Sequence, residues 1–226
     1  DSELTLDSHQ SLKNVQLRYK TYGKLNKKKD NAILVCHALT ADAHAASSKE
    51  NGVTHKGWWD KVIGPNKAID TKTHFVICSN VLGSCYGSTG PASTNPSTDK
   101  KYLLKFPVIT IRDMVRAQKA LIDSLGIDQL KLVIGPSMGG FQALEWAINF
   151  PDQLKAFSII ASASCLSPQG LAFNAVSRKA ITTDPKWKNG NYSSDALPQS
   201  GLGMARMIGH ITYLSKQSIA QKFGRK

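Results

Sequence analysis

Apolar runs alternate with helical periods along most of this chain. Residues 32–36, Ala-Ile-Leu-Val-Cys, are apolar throughout, as a strand covered on both faces would be. The runs at 74–78, 132–134 and 154–161 read the same way. Residues 15–22 instead alternate apolar with polar, which predicts a half-buried antiparallel strand near a sheet edge. From Thr110, apolar residues recur at Ile111, Met114, Val115, Leu121, Ile122 and Leu125. That is a 3.6-residue period, and Gly126 is its stop signal. A second helical stretch, 138–150, is ended by Pro151. Strands alternating with helices predict an α/β fold, a mostly parallel sheet with helices on both faces.

After Ala163 the texture changes. Residues 171–180 and 204–214 look helical, a Gly-, Asn- and Pro-containing stretch separates them, and no strong strand signal follows. The expected division is therefore 1–165 as the N-terminal part of the core and 166–226 as an incomplete helical lid region laid over the sheet. A doubly wound core needs at least one more strand, so the C-terminal part of the fold reads as missing.

Composition narrows the function classes. A 41% apolar chain of 226 residues can bury a substantial core and is not disordered. The formal charge is +13, but the basic residues are scattered, with short runs only at 27–29 and the carboxyl end. Nucleic acid is therefore not the expected partner, whereas an anionic cofactor or substrate would be attracted by the field. Four cysteines match no metal spacing and suit a reduced, cytoplasmic setting. No signal peptide is recognisable at the start, and no apolar stretch approaches the ~20 residues a membrane span needs. The first residue is not methionine, so processing or incompleteness at that end is open.

Candidate chemistry centres on Gly135-Pro136-Ser137-Met138-Gly139-Gly140, directly behind a buried strand and ahead of a helix. A serine so placed projects its hydroxyl from the top of a sheet, where it can attack an acyl carbon. The tetrahedral intermediate then needs positioned donors. The Met138 amide is one candidate. The second should come from the loop after the first parallel strand, and the Leu39 amide is preferred, with Thr40 next. His37 in that loop is read as ordering it by hydrogen bonds, because the base usually comes later in this architecture. Asp42 and His44 would bind metal only with a third ligand, and no metal is expected. Gly57-Trp58-Trp59 is either rim packing or the wall of an acyl channel. The glycine- and hydroxyl-rich stretch 80–91 follows a central strand on the side where ligands bind. In a helix, Arg206, His210 and Tyr213 would share a face, and the arginine could grip a carboxylate.

These residues carry a family resemblance. The chain resembles the homoserine O-acetyltransferases, enzymes of the alpha/beta-hydrolase fold in methionine biosynthesis, from about Leu4 to Lys226. The marks are Cys36-His37-Ala38-Leu39-Thr40, Gly57-Trp58-Trp59, the stretch 80–91, the stretch 106–113, the Ser137 elbow, and Gly201-Leu202-Gly203-Met204-Ala205-Arg206. The resemblance implies ping-pong transfer of an acetyl group from acetyl-CoA, a substrate rather than a bound cofactor, to the hydroxyl of L-homoserine. It implies Ser137 as acyl carrier, Arg206 and Tyr213 as substrate-binding residues, and a homodimer formed through the lid. A serine or homoserine O-succinyltransferase and a serine ester hydrolase of the same fold remain open, as does a noncatalytic relative. Ala41 and Pro136 stand where the family commonly has glycine. The triad Asp and His are expected beyond Lys226, because Asp184, Asp195 and His210 all fall in the lid-like segment.

Overall fold

The computed structural model describes residues 3–50, 53–193 and 195–224. They divide into two compact units, Asp1–Ser164 and Cys165–Lys226.

The first unit is built on a five-stranded sheet. Its strands are β1 (Tyr19–Tyr22), β2 (Ala32–Val35), β3 (Phe75–Ser79), β4 (Leu132–Pro136) and β5 (Phe157–Ile160), in the spatial order β5-β4-β2-β3-β1. Four run parallel. Only β1 is antiparallel, at the edge, with Tyr19 opposite Ser79 and Tyr22 opposite Val76. The continuous apolar runs resolve into two faces, because successive side chains alternate across a strand. Ala32, Leu34, Ile77 and Val133 face one way. They pack on Val115 and Ile122 of α1 (Ile111–Ser124) and on Ala143 and Trp146 of α2 (Met138–Asn149). Ile33, Val35, Val76, Cys78 and Ile134 face the other way, under Ala45, Ala46, Ile63, Ile69 and the two tryptophans. That second cover is an irregular segment with short strands.

Two strand expectations change. The alternating segment 15–22 pairs with the sheet only from Tyr19. Upstream, its backbone bonds instead to the stretch after β3: Gln16 N–H donates to Thr89 Oγ1 (2.9 Å) and Arg18 N–H to Ser88 Oγ (3.1 Å). The run 154–161 contributes only Phe157–Ile160, with Phe157 and Ile160 exposed, and β5 is paired on one side alone among the described residues.

Helix α1 begins at a reciprocal cap. Thr110 Oγ1 accepts from Asp113 N–H (3.2 Å) and Asp113 Oδ2 accepts from Thr110 N–H (3.0 Å). Asp113 is fully buried and also accepts from Asp7 N–H (2.9 Å). The Asp7 carboxylate in turn meets Arg116 at 2.8 Å. A short N-terminal hairpin, Glu3–Thr5 with Ser11–Lys13, is thereby tied to the start of α1.

The second unit is helical. It comprises α3 (Pro168–Thr182), α4 (Gln199–Tyr213) and α5 (Lys216–Phe223), and α3 packs on α4. The last helix is unanticipated from the sequence. Its start is marked by Ser215, whose side chain accepts from Ser218 N–H. No described helix is long and apolar enough to cross a membrane.

Candidate active site

Parallel strands deliver their carboxyl ends to one edge of the sheet, and there Ser137 and the loop carrying Leu39 meet. Ser137 follows β4 directly and serves as N-cap of α2. Its backbone sits at φ 55°, ψ −120°, a left-handed region costly for a side-chain-bearing residue. Such strain amounts to about 1–3 kcal/mol and persists only where the surroundings enforce it. Here Ser137 N–H donates to Ile160 O (2.9 Å) and Ser137 O accepts from Gly140 N–H (2.8 Å). The side chain is exposed. The flanking glycines are needed for close approach. A Cβ at Gly139 would fall inside the Cys36 carbonyl group, and one at Gly135 inside the Gly139 carbonyl. The helix start is thus pressed against the end of β2, where the loop carrying Leu39 begins. Among the described residues, neither the Met138 nor the Leu39 backbone N–H is hydrogen-bonded within the protein. Leu39 itself is exposed.

That loop is fixed from beneath. His37 is buried and its two ring nitrogens are engaged: Val81 N–H donates to Nε2 (3.1 Å), which leaves Nδ1–H to donate to Ala38 O (2.8 Å). The imidazole is therefore neutral, with its pKa lowered by burial against smaller opposing effects of Ala38 O and Asp42. Asn80 adds a second clamp, its Oδ1 accepting from Ala43 N–H (2.6 Å) and its Nδ2 donating to Tyr86 O. Ser88 Oγ donates to Asn80 O (2.7 Å), which orders the glycine-rich stretch after β3. Ala41, where an added methyl would be strained by left-handed backbone, has no positive φ. Pro136 is accommodated as the last residue of β4, paired with Ile160.

A buried polar chain lies behind the elbow. Trp146 Nε1 donates to Gln118 Oε1 (2.9 Å), Gln118 Nε2 donates to Gln142 Oε1 (2.7 Å), and Gln142 Nε2 donates to Met138 O (3.3 Å) and His37 O (3.5 Å). It links both helices to the serine turn and the Leu39 loop. Sequence reasoning missed it. The signal was Gln118 falling in phase with Ile111, Val115 and Ile122 on the core face of a helix.

Two of the four thiols and one phenol are quenched by burial. Burial pushes the Cys36 thiol up to about 12 and the Cys78 thiol well above its ordinary value. Burial likewise raises Tyr22 to about 12. Among the described residues no cluster of His, Cys, Asp and Glu could hold a metal, and no imidazole bonds to the Ser137 hydroxyl.

Trp58 and Trp59 stack at 5.3 Å. Both pack on the core, and Trp58 also lines an open cavity of about 490 Å3 beside residues Thr40–His44.

Arg206, His210 and Tyr213 all lie on α4, exposed. In that unit Asp184 is engaged structurally, accepting from Gly201 N–H (2.8 Å) and Lys186 N–H (2.9 Å), bonds that lower its pKa.

Comparison with known proteins matches this arrangement. A family model described as alpha/beta hydrolase fold covers residues 31–225. The chain is 58% identical to a homoserine O-acetyltransferase of Methanobrevibacter ruminantium, aligned over all of this chain and 46% of that protein. It is 56% identical to the homoserine O-acetyltransferase of Geobacter metallireducens, covering 61% of it. The chain thus spans about half the length of the curated relatives it matches. Among solved structures, the homoserine O-acetyltransferase of Bacillus anthracis superposes with TM-score 0.92 at 34% identity, over 99% of this chain and 61% of that one. Esterase E22 superposes with TM-score 0.90 at 38% identity, over 97% and 61%.

Proposed function

Because this chain belongs to the alpha/beta hydrolase fold family and resembles homoserine O-acetyltransferases along its whole length, we propose that it acts as one of them, Ser137 taking an acetyl group from acetyl-CoA and passing it to the side-chain hydroxyl of L-homoserine. The observation that carries this reading is the strained, exposed serine at the junction of β4 and α2. In the first half-reaction Ser137 Oγ attacks the thioester carbonyl, its proton passes to a base, and the CoA sulfur leaves with a proton. In the second, the homoserine hydroxyl attacks the acyl-serine, its proton is removed, and Ser137 is restored as O-acetylhomoserine departs. The N–H groups of Leu39 and Met138 stabilise the oxyanion in both halves.

The base and its orienting carboxylate come from outside these 226 residues, in the portion of the longer relatives that the chain does not align with. His37 does not serve as base, since both of its ring nitrogens already support the loop. Arg206 and Tyr213 bind the acceptor, the arginine through its carboxylate. Met204, Met207 and Ile211, exposed on the same helix, supply a homodimer surface. A cytoplasmic location is the reading that four unpaired cysteines support.

A second reading, ester hydrolysis, is favoured by the likeness to esterase E22. It shares the acyl-serine and differs only in admitting water. Product analysis with acetyl-CoA and L-homoserine separates the two. Stoichiometric O-acetylhomoserine supports transfer, and free acetate without it supports hydrolysis. Replacing L-homoserine with L-serine, and acetyl-CoA with succinyl-CoA, tests the acceptor and donor in the same assay.

A further inference from the structure

The 490 Å3 cavity beside the Leu39 loop is lined by residues the proposed chemistry does not use. Arg18, Lys20 and Lys56 bring three cationic side chains to it, against one carboxylate, Asp42. That carboxylate is already engaged, its Oδ1 accepting from His44 N–H at 2.7 Å. Arg18 and Lys20 stand two residues apart at the start of β1, so they project from the same face. His55 adds a further polar group, its ring 6.2 Å from and edge-to-face with that of His44, whose Nε2–H donates to His55 O at 3.1 Å. Tyr86, exposed, and Trp58 contribute aromatic wall, the kind of surface on which a base can stack. Volume, charge and aromatic content together match a nucleotide carrying several phosphates.

Position supplies the rest. Arg18 lies at the entry of β1, on the sheet edge that carries Ser137, and the order β4-β2-β3-β1 puts three strand spacings between them, about 14 Å. An extended pantetheine arm crosses a gap of that order. We infer that this cavity seats the phosphorylated adenosine end of the acyl-CoA donor, held by Arg18 and Lys56 while the thioester reaches Ser137. The inference rests on the acyl-CoA reading given under Proposed function.

The test compares acetyl-CoA with acetyl N-acetylcysteamine, a thioester that keeps the reacting end and lacks the nucleotide. Each variant, Arg18→Gln and Lys56→Gln, is expected to raise the KM for acetyl-CoA about 10-fold or more, the effect of losing a charge-assisted hydrogen bond. The ratio of the two KM values should fall by the same factor. Adenosine 3′,5′-bisphosphate should compete with acetyl-CoA and bind about 10-fold more weakly to both variants, whereas inorganic phosphate should compete poorly. The inference is overturned if neither KM moves, if both move together, or if phosphate competes as well as the bisphosphate. If neither thioester acetylates Ser137 in the unaltered protein, the transferase reading fails instead. Bisphosphate binding to the unaltered and Arg18→Gln proteins then still decides whether the cavity is a nucleotide site.

Discussion

Ser137 and His37 show how single side chains are set here by their surroundings. The serine hydroxyl stands exposed on a backbone conformation that only its neighbours can impose, with Ile160 O and Gly140 N–H holding its peptide groups. Ser137→Ala should leave the fold intact and lower acetyl transfer by about 10^4-fold or more, as loss of a nucleophile does elsewhere. His37 is the opposite case, a titratable group kept out of chemistry. Its folded pKa lies below the ordinary 6.5, so the unfolded chain binds a proton more readily. The associated stability is complete above about pH 6.5 and is lost as pH falls through the lower folded value. Urea denaturation across that range should show the decline. His37→Leu should flatten this slope and cost about 1–3 kcal/mol, since the Val81 N–H loses its buried acceptor. A steeper slope in the variant would contradict this account.

At the scale of elements, the site depends on how closely α2 approaches the end of β2. Gly139→Ala would drive a methyl into the Cys36 carbonyl, so it should destabilise the first unit by about 1–3 kcal/mol or more. Gly203→Ala is its control. A Cβ there meets nothing within 4 Å, and a helix-interior Gly→Ala change should stabilise α4 by about 0.5–1 kcal/mol. Chemical melts of the two variants should move in opposite directions. Gln118→Leu should cost about 1–3 kcal/mol by orphaning Trp146 Nε1. Its effect on transfer should exceed that of a purely stabilising residue, because Gln142 would lose a restraint on the loop carbonyls of His37 and Met138.

Much of this element structure was legible beforehand. The apolar runs at 32–36, 74–78 and 132–134 gave buried strands, and the 3.6-residue apolar period from Thr110 to Leu125, stopped at Gly126, gave α1. The segment 15–18 misled because its alternation is satisfied by Ser88 and Thr89 rather than by a neighbouring strand, a pairing set by tertiary contact. The elbow was legible because glycines forced by close approach leave a pattern in sequence. The clamps made by His37, Asn80 and the two glutamines were not, since each depends on a bond to a distant segment (His37 with Val81, Asn80 with Ala43, Gln118 with Gln142, Gln142 with His37), 24 to 105 residues away.

For the whole molecule, charge and acyl chemistry converge. A net charge of +13 draws anionic ligands, so the KM for acetyl-CoA should rise with salt more steeply than that for an uncharged thioester. The central claim, though, is that one serine carries the acyl group between donor and acceptor. Its most direct measurement is intact-protein and peptide mass spectrometry after mixing with acetyl-CoA in the absence of acceptor. The account predicts one acetyl group per chain, on Ser137, discharged as O-acetylhomoserine when L-homoserine is added. An unmodified Ser137 in a protein that still forms O-acetylhomoserine, or an adduct on another residue, would contradict it.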